Sequence, residues 1–253
     1  MTMRKIISIL LAFALCLGTT VALAAQPITI TSTNINSDGS VTIRWNNPNG
    51  GKVTVGSLVM DDGQAGNRIN VEFDVAGSAY TYYDLAPGRE YALLVFPDVD
   101  LDNAGVEYVN LPAITRRFDE IHFEVQDANL AYFTLKNGSY SYNYAKNLTN
   151  REILNMLDEK EFWVKVDFNH VAFSYDQYFQ SLTVVTSPTG YVATAAQTIE
   201  IPAYTTGFWQ AMVYMNDALL NMHEANGQIP TGKYTVEVYL DGTFAGDSYF
   251  YIK

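Results

Sequence analysis

Residues 79–97 read AYTYYDLAPGREYALLVFP. Four tyrosines (Tyr80, Tyr82, Tyr83 and Tyr91) fall within twelve positions, and Tyr91 follows the turn Leu85-Ala86-Pro87-Gly88 just as an apolar run begins. The sequence on the N-terminal side has a matching rhythm: ITIT precedes NSDG, SVTIRW precedes NNPNGG, KVTVGSLVM precedes DDGQAGN, and RINVEFDV precedes AGS. Short β-prone runs parted by turn residues at intervals of about 8–12 residues describe a sandwich. In SVTIRW, period-two alternation puts Val41, Ile43 and Trp45 on one face, with Thr42 and Arg44 on the other.

SVTIRWNNP followed by AYTYYDLAPGREYALLVF resembles a fibronectin type III domain, over residues 26–112. The resemblance implies that Trp45 is the core tryptophan of the second strand. It also implies that Leu85, Pro87, Gly88 and Tyr91 form the tyrosine corner, whose hydroxyl bonds back to nearby backbone. Tyr91 is then a structural residue. KVTVGSLVM departs from the family in lacking the aromatic usual in its third strand. The stretch DVDLDNAGVEY (98–108) would be the loop between the last two strands, a common partner-binding position in this family. Asp98, Asp100 and Asp102, together with Glu107, are binding candidates there. The three aspartates resemble the start of a calcium loop, but Asn103 and Val109 stand where an EF-hand needs glycine and glutamate. The competing reading is a solvated acidic hairpin tip, with calcium the only cofactor to weigh.

The chain opens with MTMRK, an apolar run Ile6–Leu17 and the small-residue ending ALAAQ, the pattern of a secretory signal peptide over residues 1–25. Gly18, Thr19 and Thr20 end the run too early for a membrane span. Cys16 is the sole cysteine, so the mature chain is expected to hold no disulfide and no thiolate metal site. The net charge is −12, and losing Arg4 and Lys5 with the signal makes it −14. Such a surface repels phosphate backbones, which excludes nucleic acid as a partner class. Charged residues at 17% against aromatics at 13% indicate a packed, tyrosine-rich β protein.

Residues 113–253 form the expected second domain. EIHFEV places Ile121, Phe123 and Val125 inward and Glu120, His122 and Glu124 opposite. It resembles the Glu-x-Asp-x-Glu strand of laminarinase-like glycoside hydrolases, with His122 in place of the aspartate. Asn137-Gly138 marks a two-residue hairpin turn pairing Leu135 with Tyr140, Phe133 with Tyr142 and Ala131 with Tyr144. The uniformly apolar face of that hairpin is expected in the core, which leaves Tyr132 on the wet face as a binding candidate. Thr149 and Glu152 form a capping box for a helix over 150–159. In EFWVKVDF, Phe162, Val164, Val166 and Phe168 alternate inward, and Trp163 faces the other way with Lys165 and Asp167, which makes it a binding candidate or a ring packed under the preceding helix. Phe208, Met212, Met215, Leu219 and Met222 make a helical stripe that Gly227 would stop. The closing hairpin around Asp241-Gly242 resembles the last strands of bacterial immunoglobulin-like domains.

The fold expected is therefore mainly β: two β-sandwiches in tandem, fibronectin type III-like and then immunoglobulin-like with short inserted helices, joined as a stiff rod. No internal repeat stands out. No His-Glu-x-x-His, Gly-x-Ser-x-Gly, phosphate loop or dinucleotide fingerprint occurs. The primary expectation is a secreted, non-catalytic binding or adhesion protein whose partner is an extracellular protein or a polysaccharide. A carbohydrate-active enzyme or its sugar-binding accessory is the first alternative, and a structural spacer of a surface assembly is the second.

Overall fold

The computed structural model describes residues 26–60, 70–97, 101–114, 123–136 and 139–253. The first sandwich contains β1 (Thr29–Ile35), β2 (Val41–Asn46), β3 (Val53–Val59), β4 (Asn70–Val75), β5 (Ala79–Tyr82), β6 (Glu90–Phe96) and β7 (Gly105–Asn110). A sheet ordered β1-β2-β5 faces one ordered β4-β3-β6-β7, the three-on-four arrangement of a fibronectin type III-like fold. Val41, Ile43 and Trp45 are buried in the same core as Tyr91, Leu93 and Val95. The ring missing from β3 is supplied by β5: Tyr82 is buried, and its hydroxyl donates to the Gly56 carbonyl on β3 at 3.1 Å.

Tyr91 answers to its turn. Its hydroxyl accepts the Ala86 N–H at 2.8 Å, and Gly88 adopts φ 72°, a left-handed conformation that glycine takes without a Cβ clash. Tyr91→Phe leaves the buried Ala86 amide without a partner. It should cost about 1–3 kcal/mol, read as a lower urea midpoint with unchanged slope; an unshifted midpoint would show that the corner bond contributes nothing.

The second sandwich contains β8 (Phe123–Lys136), β9 (Ser139–Tyr144), α1 (Asn150–Met156), β10 (Glu161–His170), β11 (Gln177–Thr186), β12 (Val192–Ile201), β13 (Gly207–Tyr214), α2 (Asn216–Asn226), β14 (Gly232–Leu240) and β15 (Thr243–Ile252). Its sheets are ordered β13-β10-β8-β9 and β12-β11-β14-β15. With β9 and the helices set aside, β8, β10 and β13 stand as β1, β2 and β5 do, and β12-β11-β14-β15 repeats β4-β3-β6-β7. Strand order thus does not set this unit apart from the first as an immunoglobulin-like one. A second tyrosine corner goes with the repeat: in IPTGKY, the buried Tyr234 donates its hydroxyl to the Pro230 carbonyl at 2.8 Å. Only strand order and a short turn are shared, and this is why no repeat shows as residue identity.

Helix α1 carries the expected capping box, with Thr149 accepting from the Glu152 N–H and the Glu152 carboxylate accepting from the Thr149 N–H at 2.8 Å. It closes at Met156, three residues before the expected end. The methionine stripe is corrected more heavily. Phe208 and Met212 lie in β13, drawn into extended form by eight-residue pairing with β10, and only Met215, Leu219 and Met222 belong to the buried side of the α2 region. Gly227, at φ 74°, terminates α2.

The loops at one end of the first sandwich rest on a face of the second. Ala86 and Ile114 of the first meet Leu182, Val184, Tyr239 and Phe244 on the outer face of β12-β11-β14-β15. The Arg89 guanidinium donates to the Gly190 carbonyl at 2.9 Å. The corner loop 84–89 therefore serves both the first core and the contact between sandwiches.

Candidate functional site

The first sandwich rests on one outer face of the second, and the opposite outer face, on β13-β10-β8-β9, carries a contiguous cluster of aromatic side chains that reach solvent. Strand register aligns Tyr214, Trp163, Ala131 and Tyr144 in one row across the four strands, and Glu161, Phe133 and Tyr142 in the next. At an inter-strand spacing of ~4.8 Å, a row of four spans ~14 Å. Trp163 and Tyr214 meet edge to face at 5.1 Å, Phe133 and Trp163 at 6.3 Å, and Tyr142 and Tyr144 at 5.5 Å. Phe133 and Tyr142 close the group at 6.2 Å. Tyr142, Tyr144 and Tyr214 are 47%, 41% and 42% exposed. The buried Ala131 between Trp163 and Tyr144 leaves room for both rings.

Beneath the rings lies Lys165. It is buried, with its ammonium 4.9 Å from the Tyr142 ring centroid and 5.8 Å from that of Tyr144. A buried cation needs a partner. Asp167 supplies one at 3.2 Å, and the Tyr144 hydroxyl accepts from the ammonium at 3.4 Å. Burial by itself lowers the pKa of Lys165, but hydrogen bonds and charge from Asp167 and Tyr144 outweigh it and hold the group above the ordinary lysine value. The other Asp167 contact is the Gln210 amide, which donates at 3.0 Å. Burial, then the charges of Asp217 and Glu161, also raise the Tyr214 pKa, so the phenol stays neutral. Each cation–ring contact contributes about 0.5–2 kcal/mol, which holds the tyrosines in place.

Of the sequence candidates, Trp163 stands at the centre of this face. Tyr132 does not belong to it: its ring lies 5.6 Å from that of the buried Phe162 and packs on the core. The hairpin register is the expected one, with Phe133 opposite Tyr142 and Ala131 opposite Tyr144, yet its faces are reversed. The cause is one extra residue. Phe168 pairs with Val125 and Asp167 with Asp127, so Gln126 is bulged out and the inward parity of β8 changes from Phe123 and Val125 to Ala128, Leu130 and Tyr132. Tyr142 and Tyr144 were missed as site residues for that reason, whereas Tyr214 lies in β13, beside residues whose spacing suggests a helix, and Lys165 is on the expected outward face but was not read as part of a site. A single strand running through 123–136 was the signal that a bulge is needed to keep both apolar ends inward.

The described acidic candidates, Asp102 and Glu107, belong to the first sandwich and not to this face. Asp98 and Asp100 lie outside the described residues, and Asp102 is exposed on a 3-10 turn at Leu101–Asn103. Glu107 is not in a loop; it sits within β7 opposite Leu93, because pairing with β6 extends back to Gly105. Glu120 and His122 are outside the described residues, and the exposed Glu124 accepts from the Gln126 amide at 3.3 Å. Among the described residues no three histidine, cysteine or acidic side chains group as metal ligands. No helix among them is long and apolar enough to cross a membrane.

No protein-family model and no curated protein matches the chain. Two solved structures are similar to it in outline. One is a two fibronectin type III domain segment of chicken tenascin, at 8% identity and a TM-score of 0.25, covering 90% of this chain and 98% of that one. The other is the FN1-FN3 domains of chicken CNTN1, at 9% identity and a TM-score of 0.24, with the same coverage of both chains.

Proposed function

We propose that this is a secreted, non-catalytic binding protein that holds a polysaccharide chain against the ring-bearing face of its second sandwich. The observation that carries the reading is the row through Tyr214, Trp163 and Tyr144, solvent-facing yet braced from below by a buried, paired Lys165. Exposed aromatics in a contiguous patch mark binding surfaces, because rings offer large contact area at low entropic cost. Sugar rings present C–H faces that pack on them. Neighbouring rings here are tilted by 51–81° to one another, so the face is corrugated. That shape suits a single chain rather than a flat crystalline surface. The chemistry on offer is stacking and hydrogen bonding, since Asp167 is engaged by Lys165 and Gln210. The signal-like residues 1–25 support export.

Retention of the purified protein on insoluble polysaccharides and cell walls tests this. Trp163→Ala should weaken retention at least about tenfold, as for a central aromatic anchor, with thermal stability little changed. Undiminished retention of that variant, or binding only to another protein, would move the function elsewhere.

A further inference from the structure

Beside the ring row, beyond the edge where β9 ends, lies a groove of about 260 Å³ at the seam between β8 and β15. Its floor includes Ala128 and Leu130 of β8, and its walls include Asn129, Lys146, Tyr249 and Tyr251. The strands β8 and β15 are tied together at one end, where the Ser248 hydroxyl accepts the Ala128 N–H at 3.2 Å, and the groove opens past that tie. Tyr249 and Tyr251 are 52% and 57% exposed, 5.7 Å apart and nearly perpendicular. The groove is continuous with the ring row: the Lys146 ammonium stands 5.2 Å from the Tyr144 ring centroid. On the other wall, the Lys233 ammonium stands 4.4 Å from the Tyr249 centroid.

Charge selects among ligands. In a protein of net charge −12, the only charged side chain among the lining residues is the lysine Lys146, and a second ammonium backs the opposite wall. Two tyrosine rings, one carboxamide and one lysine surround an apolar floor, with Lys233 held against Tyr249, which is the chemistry that recognises a carboxylated sugar ring. We infer that this groove is a subsite for a uronate-type residue of an acidic polysaccharide, whose adjoining residues cross the ring row. The inference rests on the polysaccharide reading of that row.

The test compares polygalacturonate with the same polymer after carboxyl reduction, by affinity electrophoresis of the full protein. The acidic polymer should bind about fivefold or more tighter at low salt, and the difference should shrink as salt rises. Lys146→Glu should erase that preference while leaving binding of the reduced polymer intact, and Lys146→Gln should reduce it in part. Trp163→Ala should weaken both polymers. Equal affinity for the two polymers, a preference that survives Lys146→Glu, or equal binding of poly-glutamate overturns the groove inference alone. Binding of neither polymer overturns it together with the polysaccharide reading.

Discussion

Asn216→Leu should destabilise the second sandwich by about 3–5 kcal/mol, because two buried backbone groups and a partly buried one lose their partner at once. The Asn216 carboxamide oxygen accepts the Phe162 N–H at 2.6 Å, and its nitrogen donates to the carbonyls of Leu157 and Lys160 at 3.0 and 2.7 Å. This one side chain therefore ties the exit of α1, the first residues of β10 and the start of α2. Leucine is close in size and apolar, so little volume changes and the loss isolates the hydrogen bonds. Against a typical total of about 5–15 kcal/mol, the loss is large. Urea unfolding followed by tryptophan emission measures it, and the tryptophans divide usefully: Trp45 is in the first sandwich, Trp163 and Trp209 in the second. The Trp163 and Trp209 signal should unfold early. A leucine variant within about 1 kcal/mol of the parent would mean that the three groups find other partners.

Gly242→Val should part the two sandwiches without unfolding either. Gly242 sits at φ 67° in the turn between β14 and β15, where a β-branched residue is strained. A Cβ at this position would lie 2.4 Å from the Asp38 carbonyl carbon and 2.6 Å from its oxygen, backbone atoms of the first sandwich that cannot rotate aside. The conformational strain is local to the hairpin. The clash acts across the contact, and the simplest relief is to lift loop 36–40 away, uncovering Leu182, Val184 and Tyr239. Small-angle scattering should show a larger radius of gyration, and thermal unfolding should separate into two steps. An unchanged scattering curve with one cooperative transition would place the hold between sandwiches elsewhere, in the corner loop and Arg89.

These residues show where sequence reasoning succeeds and where it stops. The corner at Tyr91 was legible because a Pro-Gly turn, a buried leucine and a tyrosine opening an apolar strand are constraints within seven residues. The same constraint at Ile229–Tyr234 was passed over, its turn being written with different residues. The hairpin register from Lys136–Ser139 to Ala131–Tyr144 was also legible, since turn length alone sets it. Its facing was not, because side-chain parity in β8 depends on Gln126, a residue that only pairing with β10 pushes out of register. The Phe208–Met212 stripe failed similarly: its spacing fits a helix, but the edge of β10 was available and won it as a strand.

By itself, then, the sequence determined the β-sandwich class, the first corner, the helix cap at Thr149, the outward direction of Trp163 and the acidic surface. All of these follow from local geometry: alternation, turn chemistry and capping act over a few residues. The tertiary structure decided which sheet face meets solvent, that the end loops of the first sandwich rest on the second, and that Tyr142, Tyr144, Tyr214 and Lys165 join Trp163. Those outcomes depend on pairing between strands far apart in the chain and on which apolar surfaces find each other, and no short window of residues contains that information.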